Sequence, residues 1–506
     1  MATKKKTAKV SNTTFEQKIW NAACVLWGHI PAADYRKLIV GLIFLRFISY
    51  RFDKLYNSLV AEGYGFENDR DAYDAENVFF VPEKARWSYI ANLAHTPEIG
   101  QILDEAMKEI EEENEPLKGV LPKIYSDPAI DKTVLGEVVD LFSNADFTKE
   151  LESGRDILGE TYQYCIKQFA AYEGKKGGEF YTPQSIVRLL VEILRPFENC
   201  RVYDPCCGSG GMFVQSIDFV EAHSGLRENV SVFGQESNAD TWKMAKINMA
   251  IRGIDANFGP HQADTFHNDL HFGEQFDFIM ANPPFNLKNW GQEKIIDDPR
   301  WKYGIPPAGN ANFAWIQHMI HHLKPNGKIG LVLANGALSS QNNGEGDIRR
   351  AIIEDDLVEC IVALPTQLFY SVTIPVTLWF ITKNKAQKGK ILFIDAREMG
   401  FMTDRTHRDL SSEDIQKIAK LVADFQEGKD VDELGFSKVA TIKEIAKQDY
   451  ILTPGRYVGT AEQEKDEEDF EVKIERLSNE LFKLFNESKE LQHQIERNLL
   501  GLMNTK

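Results

Sequence analysis

The sequence predicts a doubly wound α/β fold, preceded by a mostly helical region and followed by one long helix. Three observations carry that expectation. Between about 178 and 385, short apolar runs alternate with amphipathic stretches, the pattern of strands joined through helices. Residues 13–150 place apolar residues at helical spacing, with few segments that alternate like strands. From Phe470 an apolar seam repeats at alternate four- and three-residue steps through Ile474, Leu477, Leu481, Leu484, Leu491 and Ile495, interrupted at Ser488. The expected divisions are a disordered basic tail (1–12), a helical N-terminal domain (13–150), an α/β domain (151–460, core about 178–385) and a coiled-coil-like helix (461–506) that wants a helical partner.

The tail, "MATKKKTAKV", is basic and lacks the apolar core of a secretion signal. "FEQKIWNAACVLW" and "DYRKLIVGLIFLRFISYRFDKLY" read as helices with apolar residues at helical spacing. The second holds the most hydrophobic run, 38–50, which Arg46 breaks; it is too short to span a bilayer and reads as a buried helix. "EIGQILDEAMKEIEEENEPLKGVLP" is another amphipathic stretch. No segment reads as membrane-embedded, and the expected compartment is the cytoplasm. The 6 cysteines are scattered without a Cys-x-x-Cys spacing and read as reduced, buried thiols. The net charge is −18, whereas a chain that grips nucleic acid by itself shows a basic footprint. Either this chain ignores nucleic acid, or a partner supplies much of the grip.

The α/β domain opens with "GKKGGEFYTPQSIVRLLVEIL", a Gly-rich loop leading into a helix, with Thr182 as N-cap and Pro183 at the first helical position. Strands are expected at 200–205, 230–236, 276–282, 327–335, 358–365 and 377–384, with helices such as "ADTWKMAKINMAIRG" and "ANFAWIQHMIHHLKP" between them. Ligands of such folds lie beyond the carboxyl ends of the strands. After the first strand, "DPCCGSGGMF" puts Asp204 at the strand end. Gly208, Gly210 and Gly211 let backbone pass close to a ligand ahead of a helix N-terminus. The loop has neither G-x-G-x-x-G nor a phosphate-loop lysine. An acid beside a glycine turn suits a ligand with a positive or zwitterionic part; tight-turn packing alone also produces such a loop. Glu236 ends the second strand, where a carboxylate commonly binds ribose hydroxyls, or serves as a solvated helix-start acid. Asp264, in "HQADTF", is expected at the next strand end, either accepting from an adenine amino group or serving a turn.

The apolar run "FDFIM" ends abruptly in "ANPPFN". Two prolines fix the backbone and remove two donors. Asn282 offers a side-chain acceptor, Pro283 and Pro284 offer backbone carbonyls, and Phe285 offers a π face. Such a site accepts two hydrogen bonds from a planar –NH₂ and stacks on its ring. Holding both hydrogens encourages pyramidal nitrogen, so its lone pair can attack an electrophilic carbon. A base treated this way must leave the duplex stack. Taken alone, the tetrapeptide also reads as an Asx-Pro turn with a packed Phe.

At these motifs the chain resembles the modification subunit of type I restriction–modification systems, adenine-N6 DNA methyltransferases that use S-adenosylmethionine. "GEFYTPQSIV" at 178–187 resembles the family's cofactor segment, "DPCCGSGGM" its glycine loop and "NPPF" its catalytic motif; "GIPPAGNANFAWIQHMI" and "LTPGRYV" share its texture. The resemblance covers most of the chain. It implies a Rossmann-like S-adenosylmethionine-dependent methyltransferase domain. Glu179, Phe180, Tyr181, Thr182, Pro183 and Gln184, with Asp204, Gly208, Ser209, Gly210 and Gly211, would line the cofactor. Glu236 would bind its ribose and Asp264 its adenine, while Asn282, Pro283, Pro284 and Phe285 would bind and activate a flipped-out adenine. Implied partners are DNA, a specificity subunit that reads the site, with two copies of this chain per specificity subunit, and a restriction subunit. No metal is expected, since methyl transfer from a sulfonium needs none; His318, His321 and His322 read as structural or surface residues. Lys288, Lys294, Arg300 and Lys302 are candidates for a local basic patch against DNA. Two rivals stay open: another planar –NH₂ as substrate, such as a glutamine side chain or an RNA base, and a catalytically silent scaffold.

Overall fold

The helical region comprises α1 (Phe15–Ala23), α2 (Ala32–Glu62), α3 (Arg70–Asp74), α4 (Trp87–Asn92), α5 (Ile99–Glu113) and α6 (Lys132–Ser143) in a computed structural model of the chain. The structure describes residues 15–26, 32–144, 160–161, 164–165, 168, 182–223, 225–226, 229–369, 374–459 and 470–503. The basic tail and the expected cofactor residues Glu179, Phe180 and Tyr181 lie outside them. As expected, the hydrophobic run of α2 is buried: Leu38, Ile39, Leu42, Phe44 and Leu45 form the centre of this region's core. Arg46, the charge within that run, donates to the Phe142 carbonyl at 3.3 Å and lies 5.6 Å from the Trp87 ring, which is how a charge is tolerated there. Among the described residues no helix is long and apolar enough to cross a membrane.

The α/β region supplies α7 (Gln184–Leu194), β1 (Arg201–Asp204), α8 (Gly211–Ala222), β2 (Ser231–Gly234), α9 (Ala239–Ile251), β3 (Ala256–Asn257), β4 (Phe276–Ala281), α10 (Asn312–His322) and β5 (Leu323–Ala334). It continues with α11 (Gly336–Ser339), α12 (Glu345–Glu354), β6 (Val358–Ala363), β7 (Val376–Thr382), β8 (Lys390–Asp395), β9 (Phe401–Met402), β10 (Arg408–Asp409), α13 (Ser412–Gln426), β11 (Ser437–Thr441) and α14 (Ile442–Ala446). Among the described residues, nine strands form one sheet in the order β11-β8-β6-β7-β5-β4-β1-β2-β3. Pairs from β3 through β5 are parallel, and β7 runs antiparallel between β5 and β6. The six expected strands are all present; β3, β8 and β11 extend the sheet beyond them. β6 and β7 are buried at every residue, as strands covered on both faces must be.

Alternation along the strands sends neighbours to opposite faces. Val202, Phe278 and Met280 pack with α7, α8 and α13, while Tyr203, Ile279 and Ala281 pack with α10 and α12. Helix α9 belongs to two cores: Trp242, Ala245 and Met249 pack on the sheet, and Met244, Ile247 and Ile251 join the helical region. The helical and α/β regions accordingly group as one compact unit, Met1–Val458. A second unit, Gly459–Lys506, holds α15 (Phe470–Met503). Along α15, Ile474, Leu477, Leu481, Leu484, Leu491 and Ile495 are exposed, as are Phe482 and Phe485 beside the seam.

Two local expectations are corrected. Thr182 does not cap α7: the helix begins one residue later than expected, so Pro183, which has no side-chain acceptor, is the N-cap, and the threonine hydroxyl accepts from the Asn282 amide instead. Asp264 is not at a strand end. The short β3 stops at Asn257, and Asp264 lies in a turn beyond it.

Candidate active site

Strand order reverses between β1 and β4, which places a crevice beyond their carboxyl ends. The glycine loop leaves β1 there and the "NPPF" turn leaves β4. Asp204 ends β1 almost fully buried, its Oδ1 accepting from the Cys206 N–H at 3.0 Å. Burial pushes its carboxyl up to about 7; the hydrogen bond from Cys206 opposes the shift and the Glu236 charge adds to it. Gly208 and Gly210 have φ of +54° and +80°, values that disfavour side chains. At Gly210 a Cβ would lie 3.0 Å from Met249 Cε, pointing inward; at Gly208 and Gly211 it would meet open space. The Ser209 carbonyl accepts from the Asn248 amide at 2.7 Å, fixing the loop on α9.

Glu236 follows β2 and brackets the loop. Its Oε2 accepts from the Gly208 N–H at 3.1 Å and its Oε1 from the Asn238 N–H at 2.8 Å. The neighbouring Gln235, fully buried, was not singled out from sequence. Its amide donates to the carbonyls of Ala263 and Asn268 and accepts from the Leu270 N–H. It therefore hangs the Asp264 turn from the end of β2. Asp264 itself is exposed, its Oδ1 accepting from the N–H groups of Phe266 (2.8 Å) and His267 (3.2 Å).

At the end of β4 the Asn282 amide nitrogen donates to Thr182 Oγ1 at 2.9 Å. Its carbonyl oxygen is buried and has no hydrogen-bond partner among the described residues. An acceptor left this way costs about 1–3 kcal/mol, which a donor entering the crevice would offset. Phe285 meets Phe369 edge-on, with ring centroids 6.0 Å apart. Asn312, fully buried, accepts from the Asn286 N–H at 3.1 Å and donates to Asn286 Oδ1 at 3.0 Å, fixing the turn where φ is +54°. Phe369 and Asn312 also escaped sequence reading; each is remote in sequence from the turn it touches.

Arg300 does not join a surface patch. It is buried, paired with Asp298 at 2.7 Å, and lies 3.1 Å from His318 Nδ1. Lys302 pairs with Asp355 at 2.9 Å, while Lys288 and Lys294 are exposed. Ligand atoms of Asp269, His318 and His322 lie within 4.8 Å of one another. Every ring nitrogen of the two histidines already faces a partner: Tyr203 and Arg300 for His318, Asp269 and the Glu274 carbonyl for His322. Burial holds His318 well below its usual range, so it accepts from Arg300 as a neutral ring.

The profile of the N-6 DNA Methylase family matches residues 153–466, and that of the HsdM N-terminal domain residues 15–142. The chain belongs to the N-6 DNA methylases. The methylase is 49% identical to the type I restriction enzyme HindI methylase subunit of Haemophilus influenzae, over 83% of its own length and 99% of that relative's. It is 40% identical to the MjaIX methylase subunit of Methanocaldococcus jannaschii, over 96% of its length and 91% of the relative's. The type I restriction–modification methyltransferase subunit of Streptococcus thermophilus matches its structure with a TM-score of 0.76 at 26% identity, covering 88% of the methylase and 99% of that subunit. The family read from "DPCCGSGGM" and "NPPF" is the family found, and the methylase has the type I modification subunit's fold and activity class, adenine-N6 DNA methylation.

Proposed function

We propose that the methylase binds S-adenosylmethionine over the glycine loop and transfers its methyl group to a flipped-out adenine held at Asn282–Phe285. The observation that carries this reading is the orphaned Asn282 carbonyl oxygen, aimed by the Thr182 hydroxyl at the mouth of β4. The surroundings fit the cofactor. Open space at Gly208 and Gly211 leaves room beside the N-terminus of α8, and buried Asp204 suits a cationic ammonium group. Glu236 accepts from ribose hydroxyls, and Asp264 from the cofactor's adenine amine. When bound, S-adenosylmethionine supplies an electrophilic methyl on a sulfonium sulfur.

The protein's part is positioning and electrostatics. Asn282 Oδ1 and a proline carbonyl of the turn accept the two N6 hydrogens. Phe285 stacks on the base, and Phe369 braces Phe285. With both hydrogens held, the N6 lone pair would be free to take up the methyl group that the bound cofactor would supply, its proton leaving to solvent. A specificity subunit reads the sequence and places the duplex, with two copies of this chain per complex and a restriction subunit able to join. Lys288 and Lys294 meet the DNA backbone locally, which reconciles DNA chemistry with a net charge of −18.

Asn282→Ala in the assembled complex tests the mechanism. Turnover should fall by about 10²–10³, the cost of removing one group that holds the transition state. S-adenosylmethionine affinity by calorimetry should stay within about twofold. Normal labelled-methyl transfer by this variant would sink the mechanism.

A further inference from the structure

We infer that Arg300 is a positioning residue for the cofactor's adenine end, although it belongs to the segment that follows the target-base turn. This rests on the reading of Asp264 given above. A guanidinium has five N–H donors in a rigid fork. In Arg300 all are engaged. Nε and Nη2 grip Asp298 at 2.8 and 2.7 Å, and Nη1 donates to the Thr265 carbonyl at 3.0 Å and to His318 Nδ1 at 3.1 Å. Nη2 also donates to the Phe266 carbonyl.

Thr265 and Phe266 are the two residues after Asp264. Their carbonyls face Arg300 while the N–H groups of Phe266 and His267 hold the Asp264 carboxylate. The orientation of those two peptide units, and so of the carboxylate, is therefore fixed from the far side by one buried arginine. Two further ties make the arrangement a block. The His267 ring reaches both Asp264 Oδ1 (3.3 Å) and the Gly291 carbonyl (3.2 Å), with Gly291 in the same segment as Arg300. The Phe266 ring packs against Trp290, Trp301 and Trp315 at centroid distances of 5.0, 6.4 and 4.3 Å. An exposed carboxylate on a turn would otherwise be free to rotate; here the turn's backbone is clamped. Lysine in place of Arg300 keeps the charge but cannot span two carbonyls and a carboxylate.

The test is steady-state kinetics of the assembled complex carrying Arg300→Lys, His267→Gln or Asp264→Ala, with Glu293→Gln as a surface control in the same segment. Arg300→Lys should raise KM for S-adenosylmethionine about tenfold, one charged hydrogen bond's worth, and leave kcat at saturating cofactor within about twofold. His267→Gln should move KM in the same direction by a few-fold, and Glu293→Gln should change nothing. A lowered thermal midpoint with unchanged KM, or a fall in kcat at unchanged KM, would overturn the assignment. If Arg300→Lys does not fold, Asp298→Asn and His267→Gln decide, and unchanged KM in both overturns it. Asp264→Ala separates this inference from the reading beneath it. If that variant raises KM and Arg300→Lys does not, only the present inference fails. If Asp264→Ala leaves KM unchanged, the adenine assignment itself falls.

Discussion

The crevice beyond β1 and β4 and the helix α15 leave different things unfinished. In the crevice Asp204, Gln235 and Glu236 are hydrogen-bonded, while the buried acceptor Asn282 Oδ1 has no partner among the described residues. Along α15 the polar groups are ordinary and the apolar seam is exposed, with Leu491 at 58% and Ile495 at 59%. A lone acceptor in a rigid frame answers a small donor of defined geometry. An apolar stripe of repeating period answers another helix. An exposed apolar stripe of this kind has value only when covered.

The sharpest way to break that contrast is to delete residues 466–506. Complex formation with the specificity subunit, followed by size-exclusion chromatography, should be abolished, and site-specific methylation with it. Calorimetric binding of S-adenosylmethionine should be preserved. Full assembly by the truncated chain would show that the stripe is not the docking element. Next in size is Glu236→Ala, which removes a charged acceptor worth about 1.5–3 kcal/mol and should weaken cofactor binding by about ten- to a hundredfold. Folding, followed by circular dichroism, should be retained. Unchanged affinity would mean that Glu236 only staples Gly208 to the start of α9.

The smallest effect concerns Asp204, whose folded carboxyl sits near about 7 against an ordinary 3.8. The folded state holds this proton more tightly than the unfolded chain. Its contribution to stability is complete below 3.8 and is lost as pH rises through about 7. A cationic ligand favours the ionised form, so S-adenosylmethionine affinity should rise by about tenfold from pH 6 to pH 8, with proton release on binding. Calorimetry in buffers of different ionisation enthalpy measures that release. A pH-independent affinity would place the ligand's ammonium group away from Asp204. Asp204→Asn should flatten both slopes.

Much of this architecture was legible because strands buried on both faces read as continuous apolar runs and their carboxyl ends carry the polar punctuation. "FDFIMANPPF" is both a strand and its terminus. What escaped were relations across the chain. Thr182 looked like a helix cap, yet its hydroxyl serves Asn282, 100 residues away. Arg300 looked like a surface cation because its neighbours are polar, but it is buried, and besides Asp298 and His318 it holds two backbone carbonyls that sequence cannot reveal. Gly208, Gly210 and Gly211 read alike as glycines facing a ligand, yet they differ. A Cβ at Gly210 would crowd Met249, whereas at Gly208 and Gly211 it would meet open space. Gln235 and Asn312 carry no motif; only burial with satisfied amides marks them.

Helix α9 has an implication for how such chains are inherited. One of its faces supports the glycine loop through Asn248 and Met249, and the other contributes Met244, Ile247 and Ile251 to the N-terminal core. Lys37 of α2 reinforces the join with a 2.8 Å ion pair to Asp240. A recombination event between residues 142 and 153, where two family profiles meet, would strip an apolar face from the very element that shapes the loop. The two matched regions should therefore descend together, coevolving across α9.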